Sequence, residues 1–200
     1  NKNHLADSSL KRLSKIKPNP FTLNSNIKLI NTGNLEDDLN IINESDWVIE
    51  VIVEDLSIKK DLFKKIDKIM HDDLIISSNT STIPIKLLSE GLSKKFKKNF
   101  LITHFFNPPR YLKLLEIVKT DETKKEILKN VIQFCDINLG KTVIETKDTP
   151  GFIGNRIGIF WIERAVVEAI KYNLTVEEAD SIISNVFKVP KTGVFGLIDV

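Results

Sequence analysis

The sequence predicts an α/β fold: an open, mainly parallel, doubly wound sheet with helices on both faces, followed by the start of an all-α domain. Three observations carry that expectation. From Ile27 onward, short runs rich in β-branched residues alternate with stretches of helical periodicity, the pattern of strand–helix–strand units. The chain is 42% hydrophobic and 28% charged, which is ordinary for a protein that buries a core. The pattern changes at Asp148-Thr149-Pro150-Gly151, and only helical spacing follows. A boundary is therefore expected near Pro150, dividing residues 1–149 from 150–200.

Each element follows from its residues. Residues 1–26 are polar, with a short helix-like stretch around Leu10, Leu13 and Ile16 closed by Pro18 and Pro20. Ile27–Asn31 reads as a strand and Leu35–Asn43 as a helix. Trp47–Val53, with the run Trp-Val-Ile-Glu-Val-Ile-Val, reads as a buried strand. Across Ser57–Met70, Ile58, Leu62, Ile66, Ile69 and Met70 recur at helical spacing behind a candidate N-cap, Ser57. Leu74–Ser78 is a strand, Ile83–Ser89 a helix, and Phe100–Phe105 and Leu114–Val118 are strands. Glu122–Asn138 is a helix and Thr142–Glu145 the last strand. Past the boundary, Phe152–Lys171 and Val176–Phe187 are helices. The first is apolar almost all round near Ile157–Ile162, as in helices buried between domains or subunits.

Composition excludes several function classes. Twenty-nine basic residues nearly cancel 27 acidic ones, leaving +2; that balance supports neither a nucleic-acid nor a membrane-surface partner. No apolar run approaches the roughly 18 residues of a membrane span. Asn1-Lys2-Asn3-His4-Leu5 shows no signal-peptide pattern and does not open on methionine, so the natural start is expected elsewhere. The single cysteine, Cys135, cannot form an internal disulfide and fits a reducing compartment, which points to the cytoplasm. Its apolar setting makes it a buried structural thiol. No His/Cys/Asp cluster has metal-ligand spacing. His4 and His71 read as solvated surface residues, and Trp47 and Trp161 as core or interface residues.

In an open α/β sheet, ligands bind beyond the carboxyl ends of the strands. Three strand ends carry polar clusters: Glu54-Asp55, Ser78-Asn79-Thr80-Ser81, and His104-Phe105-Phe106-Asn107-Pro108-Pro109. His104 is the histidine placed at a strand end, and imidazole suits proton transfer near neutral pH. Glu116 lies inside the apolar strand Leu114–Val118, where an unpaired carboxylate is costly. An imidazole partner would satisfy it and fix the tautomer. The residues alone also allow a capped loop histidine and a glutamate paired with Lys113 or Lys119.

Four motifs in register sharpen the choice: Ser78-Asn79-Thr80-Ser81, His104-Phe105-Phe106-Asn107-Pro108, Leu114-Leu115-Glu116-Ile117, and Lys147-Asp148-Thr149-Pro150-Gly151-Phe152-Ile153-Gly154-Asn155-Arg156. From about Ile27 to the last residue, the chain resembles the 3-hydroxyacyl-CoA dehydrogenase family, including the dehydrogenase segment of multifunctional fatty-acid oxidation proteins. The resemblance implies NAD as cofactor and an acyl-CoA as substrate, in fatty-acid β-oxidation. It implies that His104 is the general base, Glu116 its partner acid, and Ser81 the hydrogen-bond donor to the reacting oxygen. Asn155 matches an asparagine that reaches the same pocket. Glu54, Lys59, Asn79, Ser81 and Asn107 match positions lining the NAD site. A homodimer, or a place in a larger multifunctional enzyme, is implied as well. The basic run Lys94-Lys95-Phe96-Lys97-Lys98 reads as a solvated turn, with contact to a CoA phosphate as the lesser alternative. Phe160 stands where many members carry a small residue or proline.

One signature is missing from the 200 residues. A Rossmann domain holds the dinucleotide pyrophosphate on a Gly-x-Gly-x-x-Gly turn after its first strand; no such turn occurs, and Gly33 stands alone in the early region. The expectation is therefore a partial Rossmann-like sheet lacking its first strand and a partial helical domain, truncated at both ends. The alternative is a non-catalytic fragment or remnant that acts through association with a partner chain. A hydroxyisobutyrate-type dehydrogenase is disfavoured, because that group relies on a lysine base and this chain offers His-Phe-Phe-Asn-Pro.

Overall fold

Five strands form one sheet in the order β1-β2-β3-β4-β5: β1 Trp47–Glu50, β2 Ile75–Ser78, β3 Phe100–Phe105, β4 Leu114–Val118 and β5 Thr142–Thr146. The computed structural model describes residues 2–17, 19–187 and 193–198, so Pro18 lies outside the described residues. The chain divides into two compact units, Asn1–Asp148 and Thr149–Val200.

Connection length decides strand direction. β1 and β2 are joined through α2, Leu56–Ile69, and β2 and β3 through α3, Ile85–Ser89, and α4, Lys94–Lys98; α5, Lys125–Ile137, joins β4 and β5. All three of these pairs are parallel. Only residues 106–113 separate β3 from β4, too few for a parallel crossover, and that pair is antiparallel.

Alternation along β3 sorts side chains to two faces. Leu101 packs with Leu115, Ile117 and, from α5, Ile127, Val131 and Cys135. Phe100 faces the other way, where its ring stands 5.2 Å from Phe63 of α2 and 5.0 Å from Phe96 of α4. Phe96 is fully buried behind an N-cap at Ser93, so the Lys94–Lys98 run is a short helix and not a turn. It precedes β3 and sits at the opposite end of that strand from His104.

Several boundaries shift for identifiable reasons. Ile27–Asn31 is not a strand: Asn24–Leu29 is a 3-10 turn, and without a pairing partner the apolar run closes local bonds such as Ile30 N–H to Ile27 O. Leu35–Asn43 yields only a 3-10 helix, Leu39–Glu44, because Asn34 Oδ1 accepts from the Glu36 and Asp37 amides and diverts the first turn. The first strand stops at Glu50, whose carboxylate takes the Ile52 amide. Helix α2 is capped by Asp55, not Ser57: Asp55 accepts from the Ile58 amide. His71 is half-buried against the Ser45 carbonyl, whereas His4 is exposed in α1, His4–Leu13.

The second unit holds α6, Gly154–Lys171, α7, Val176–Phe187, and α8, Phe195–Ile198. Helix α6 starts two residues late because Gly151 and Phe152 both have positive φ. Its apolar girdle is not buried within this chain: Ile157, Ile159 and Phe160 are exposed. Trp161 packs edge-on against Phe187. No described helix is long and apolar enough to cross a membrane.

Candidate active site

The parallel strands β1, β2 and β3 bring their carboxyl ends to one edge of the sheet, where ligands bind in open α/β folds. His104 and Glu116 are direct cross-strand partners in the β3–β4 register, so their side chains leave the same face. His104 Nδ1 lies 2.8 Å from Glu116 Oε2. Glu116 is 0% exposed and His104 only 6%, so the pair is desolvated and its contact correspondingly strong. The Phe106 ring stands 4.6 Å from the imidazole, on its flank.

At the end of β2, Asn79 ties two strand ends together. Its backbone amide donates to Glu50 O at 2.8 Å, and its Oδ1 accepts from the Phe105 amide at 2.9 Å. The turn that follows is organised by Glu54. Its Oε1 accepts from the Thr80 hydroxyl, from the Ser81 and Thr82 amides at 3.1 and 3.3 Å, and from the Thr82 hydroxyl at 3.0 Å. Burial pushes the Glu54 carboxyl up; hydrogen bonds from Thr80 and Thr82 and the Lys59 charge outweigh that and hold it below its ordinary value of 4.5.

Lys59 lies behind Glu54. It is 1% exposed, and its Nζ stands 2.7 Å from Glu50 Oε1, 3.2 Å from Ile52 O and 3.3 Å from Glu54 Oε2. Three acceptors meet the three donors of an ammonium. Asn107 is exposed in the loop after β3, joined to Pro108 by a cis peptide. Asn155 is the second residue of α6, in the other unit.

Two residues that the sequence reading passed over are central to this edge. Glu50 is buried at the end of β1 and accepts from Lys59, Ile52 and Ser78. The signal was available, since a glutamate inside Trp-Val-Ile-Glu-Val-Ile-Val demands a partner for the same reason Glu116 does. Lys141, buried at the start of β5, donates to the carbonyls of Pro109 and Leu112 and so pins the loop after His104. Nothing in its sequence context distinguishes it from a surface lysine.

Comparison with known proteins follows the same lines. The family described as 3-hydroxyacyl-CoA dehydrogenase, NAD binding domain, matches residues 3–149, which extends the likeness upstream of Ile27. The chain is 46% identical over 197 residues to a protein of Rickettsia prowazekii (strain Madrid E) named as a fatty acid oxidation complex trifunctional enzyme, covering 98% of this chain and 27% of that relative. It is 34% identical over 164 residues to the mitochondrial hydroxyacyl-coenzyme A dehydrogenase of Rattus norvegicus, covering 80% of this chain and 51% of that one. The crystal structure of (S)-3-hydroxybutyryl-CoA dehydrogenase from Ralstonia eutropha superposes with a TM-score of 0.73 at 29% identity, over 94% of this chain and 64% of that one. The chain thus spans about a quarter to a half of the curated relatives it matches. With the strand order, the paired His104 and Glu116 and these matches together, the chain belongs to the 3-hydroxyacyl-CoA dehydrogenase family, and residues 3–149 are of its NAD-binding domain.

Proposed function

We propose that this chain supplies the hydride-transfer edge of an NAD-dependent 3-hydroxyacyl-CoA dehydrogenase, interconverting 3-hydroxyacyl-CoA and 3-ketoacyl-CoA in fatty-acid β-oxidation. The observation that carries the reading is the buried contact of 2.8 Å between His104 Nδ1 and Glu116 Oε2 at the ligand-binding edge of the sheet. A carboxylate only accepts, so Nδ1 carries the hydrogen and Nε2 is the basic nitrogen of the neutral ring. Nε2 takes the proton of the substrate 3-hydroxyl, and Glu116 stabilises the imidazolium that forms. Ser81 hydrogen-bonds the reacting oxygen, and Asn155 keeps the substrate-contacting role that the family resemblance gives it. NAD, when bound, accepts the hydride.

The donors and acceptors fit the nicotinamide end of that cofactor. Glu54, Asn79, Ser81 and Asn107 present an anionic acceptor, hydroxyl and amide groups at the ends of β1, β2 and β3. Gly33 does not serve as a phosphate cradle: a Cβ there would meet Asp38 Oδ2 at 2.8 Å, so its bareness accommodates the local turn. The pyrophosphate is left to a glycine turn that these residues do not contain.

A second reading, association with a partner chain, is favoured by the outer edge of β1. There Ile49 is exposed, and Ile49, Leu35 and Ile41 line a groove of about 590 Å³ beside an edge that no described strand pairs. The exposed Ile157, Ile159 and Phe160 of α6 support contact with a second copy in a homodimer.

NADH oxidation by the purified chain with acetoacetyl-CoA, beside a His104→Ala control, tests the leading reading. Turnover that falls by about a hundredfold or more in the control is the expected result for loss of a general base. A folded chain that shows no turnover overturns activity of this chain alone and favours the association reading.

A further inference from the structure

We propose that Glu50 is the positioning residue for the turn that carries Ser81. The inference rests on the reading above, in which Ser81 faces the reacting oxygen. Glu50 touches neither Ser81 nor any residue assigned to substrate, yet two arms run from its carboxylate to that turn.

The first arm passes through charge. Glu50 Oε1 lies 2.7 Å from Lys59 Nζ, and Lys59 Nζ lies 3.3 Å from Glu54 Oε2. The other Glu54 oxygen accepts from the Ser81 amide at 3.1 Å and the Thr82 amide at 3.3 Å. The second arm passes through a hydroxyl. Ser78 Oγ donates to Glu50 Oε2 at 2.5 Å and accepts from the Thr80 amide at 3.3 Å. Both arms end on Thr80–Thr82, with Ser81 between them.

Burial explains why Glu50 governs the first arm. A lysine at 1% exposure needs a close negative partner. The Glu54 side chain is 38% exposed and stands farther off, so its hold on the ammonium is screened by solvent. Glu50, with a side chain at 0% exposure, is the charge that keeps Lys59 at the base of Glu54. Lys59 therefore serves the cofactor wall from behind. Without Glu50, the ammonium draws Glu54 inward and loosens the amides that Glu54 holds.

The two arms have separate reporters in the amide spectrum of the 200-residue chain, recorded without cofactor. The Ser81 and Thr82 amides read the lysine arm, and the Thr80 amide reads the serine arm. Glu50→Gln keeps the shape and removes the charge; all three signals are expected to shift, while the Phe105 amide, held by Asn79, stays. In a Lys59→Met background, Glu50→Gln is expected to leave Ser81 and Thr82 in place and still move Thr80. That double variant buries no unpaired charge, so it covers the case in which the single variant does not fold. Unmoved Ser81 and Thr82 signals in folded Glu50→Gln overturn the proposal, as does an undiminished shift in the Lys59→Met background. NADH titration adds the functional arm: Glu50→Gln is expected to weaken binding about tenfold, the usual scale for an outer partner of a functional group. Unchanged affinity overturns the link to the site. A wild-type chain that binds no NADH counts against the dehydrogenase reading for this chain and leaves the amide shifts to decide on Glu50.

Discussion

Two glutamates sit inside apolar strands on the same sheet, and each meets a nitrogen base: Glu50 meets Lys59 across β1 and α2, and Glu116 meets His104 across β3 and β4. The contacts are nearly equal, 2.7 and 2.8 Å, and both carboxylates are buried. Their surroundings differ. Glu50 also accepts from Ser78 and the Ile52 amide, and its lysine has two further oxygen partners, so the first pair is a closed network. The second pair involves a ring whose two nitrogens exchange donor and acceptor roles as a proton moves. Burial with a partner thus builds a closed anchor in one place and, in the other, a pair whose ring nitrogen can carry a proton. The chemistry of the base decides which.

The largest effect that separates the two is expected at Glu116. Glu116→Gln retains an oxygen that accepts from Nδ1, so stability should change by no more than about 1 kcal/mol. Turnover should fall by about a thousandfold, because the imidazolium loses its counter-charge. Urea unfolding and steady-state kinetics on the same preparation check both halves. Near wild-type turnover would make the second pair as structural as the first.

Glu50→Leu should invert that outcome. Removing one partner of a buried ion pair leaves the Lys59 ammonium with only the solvent-exposed Glu54 as counter-charge, and a loss of about 3 kcal/mol in unfolding free energy is expected. A stability change below about 1 kcal/mol would show that Glu54 suffices to hold Lys59 and that the network is not an anchor.

Much of this contrast was legible in the sequence, for one physical reason. A polar residue inside a strand-length apolar run must find a partner, and Glu116 with His104 followed from that rule together with the family motifs. The same rule applied to Glu50, but its partner, Lys59, lies on a helix at an apolar-face position where a lysine reads as an exposed break in the pattern. Strand β1 through β5 and the long helices were recognisable because periodicity is a local property. The early region was not, because Asn34 side-chain bonds and the absence of a strand partner overrode the apolar runs at Ile27–Asn31 and Leu35–Asn43. The loop clamp at Lys141 is a tertiary fact that no local pattern encodes.

A smaller effect is expected on acidification. The folded Glu54 carboxyl titrates below 4.5 because hydrogen bonds from Thr80 and Thr82 and the Lys59 charge outweigh its partial burial. A depressed carboxylate contributes stability that is present above its ordinary value and lost as pH falls through the folded value. The Ser81 and Thr82 amide signals should therefore move together with a midpoint under 4.5. A midpoint at or above 4.5 would mean that burial outweighs the Thr80 and Thr82 hydrogen bonds and the Lys59 charge.

A third buried ionisable group, the Cys135 thiol, has no carboxylate partner among the described residues. Cys135 lies in the apolar cluster between α5 and the sheet. Burial pushes its thiol up from 9.0 to about 11, with the Lys141 charge pulling partly back. Here the raised value favours the neutral form: its contribution to stability is complete below pH 9 and is lost as pH rises toward 11. Since the thiolate is the nucleophile, the folded chain at pH 8 should react with an aromatic disulfide reagent only as fast as it opens, and denaturant should release the full rate. A denaturant-independent fast reaction would place the thiol at the surface. Slow reaction would show the third outcome of burial on this sheet: desolvation outweighs the Lys141 charge, the group is neutral, and it serves packing alone.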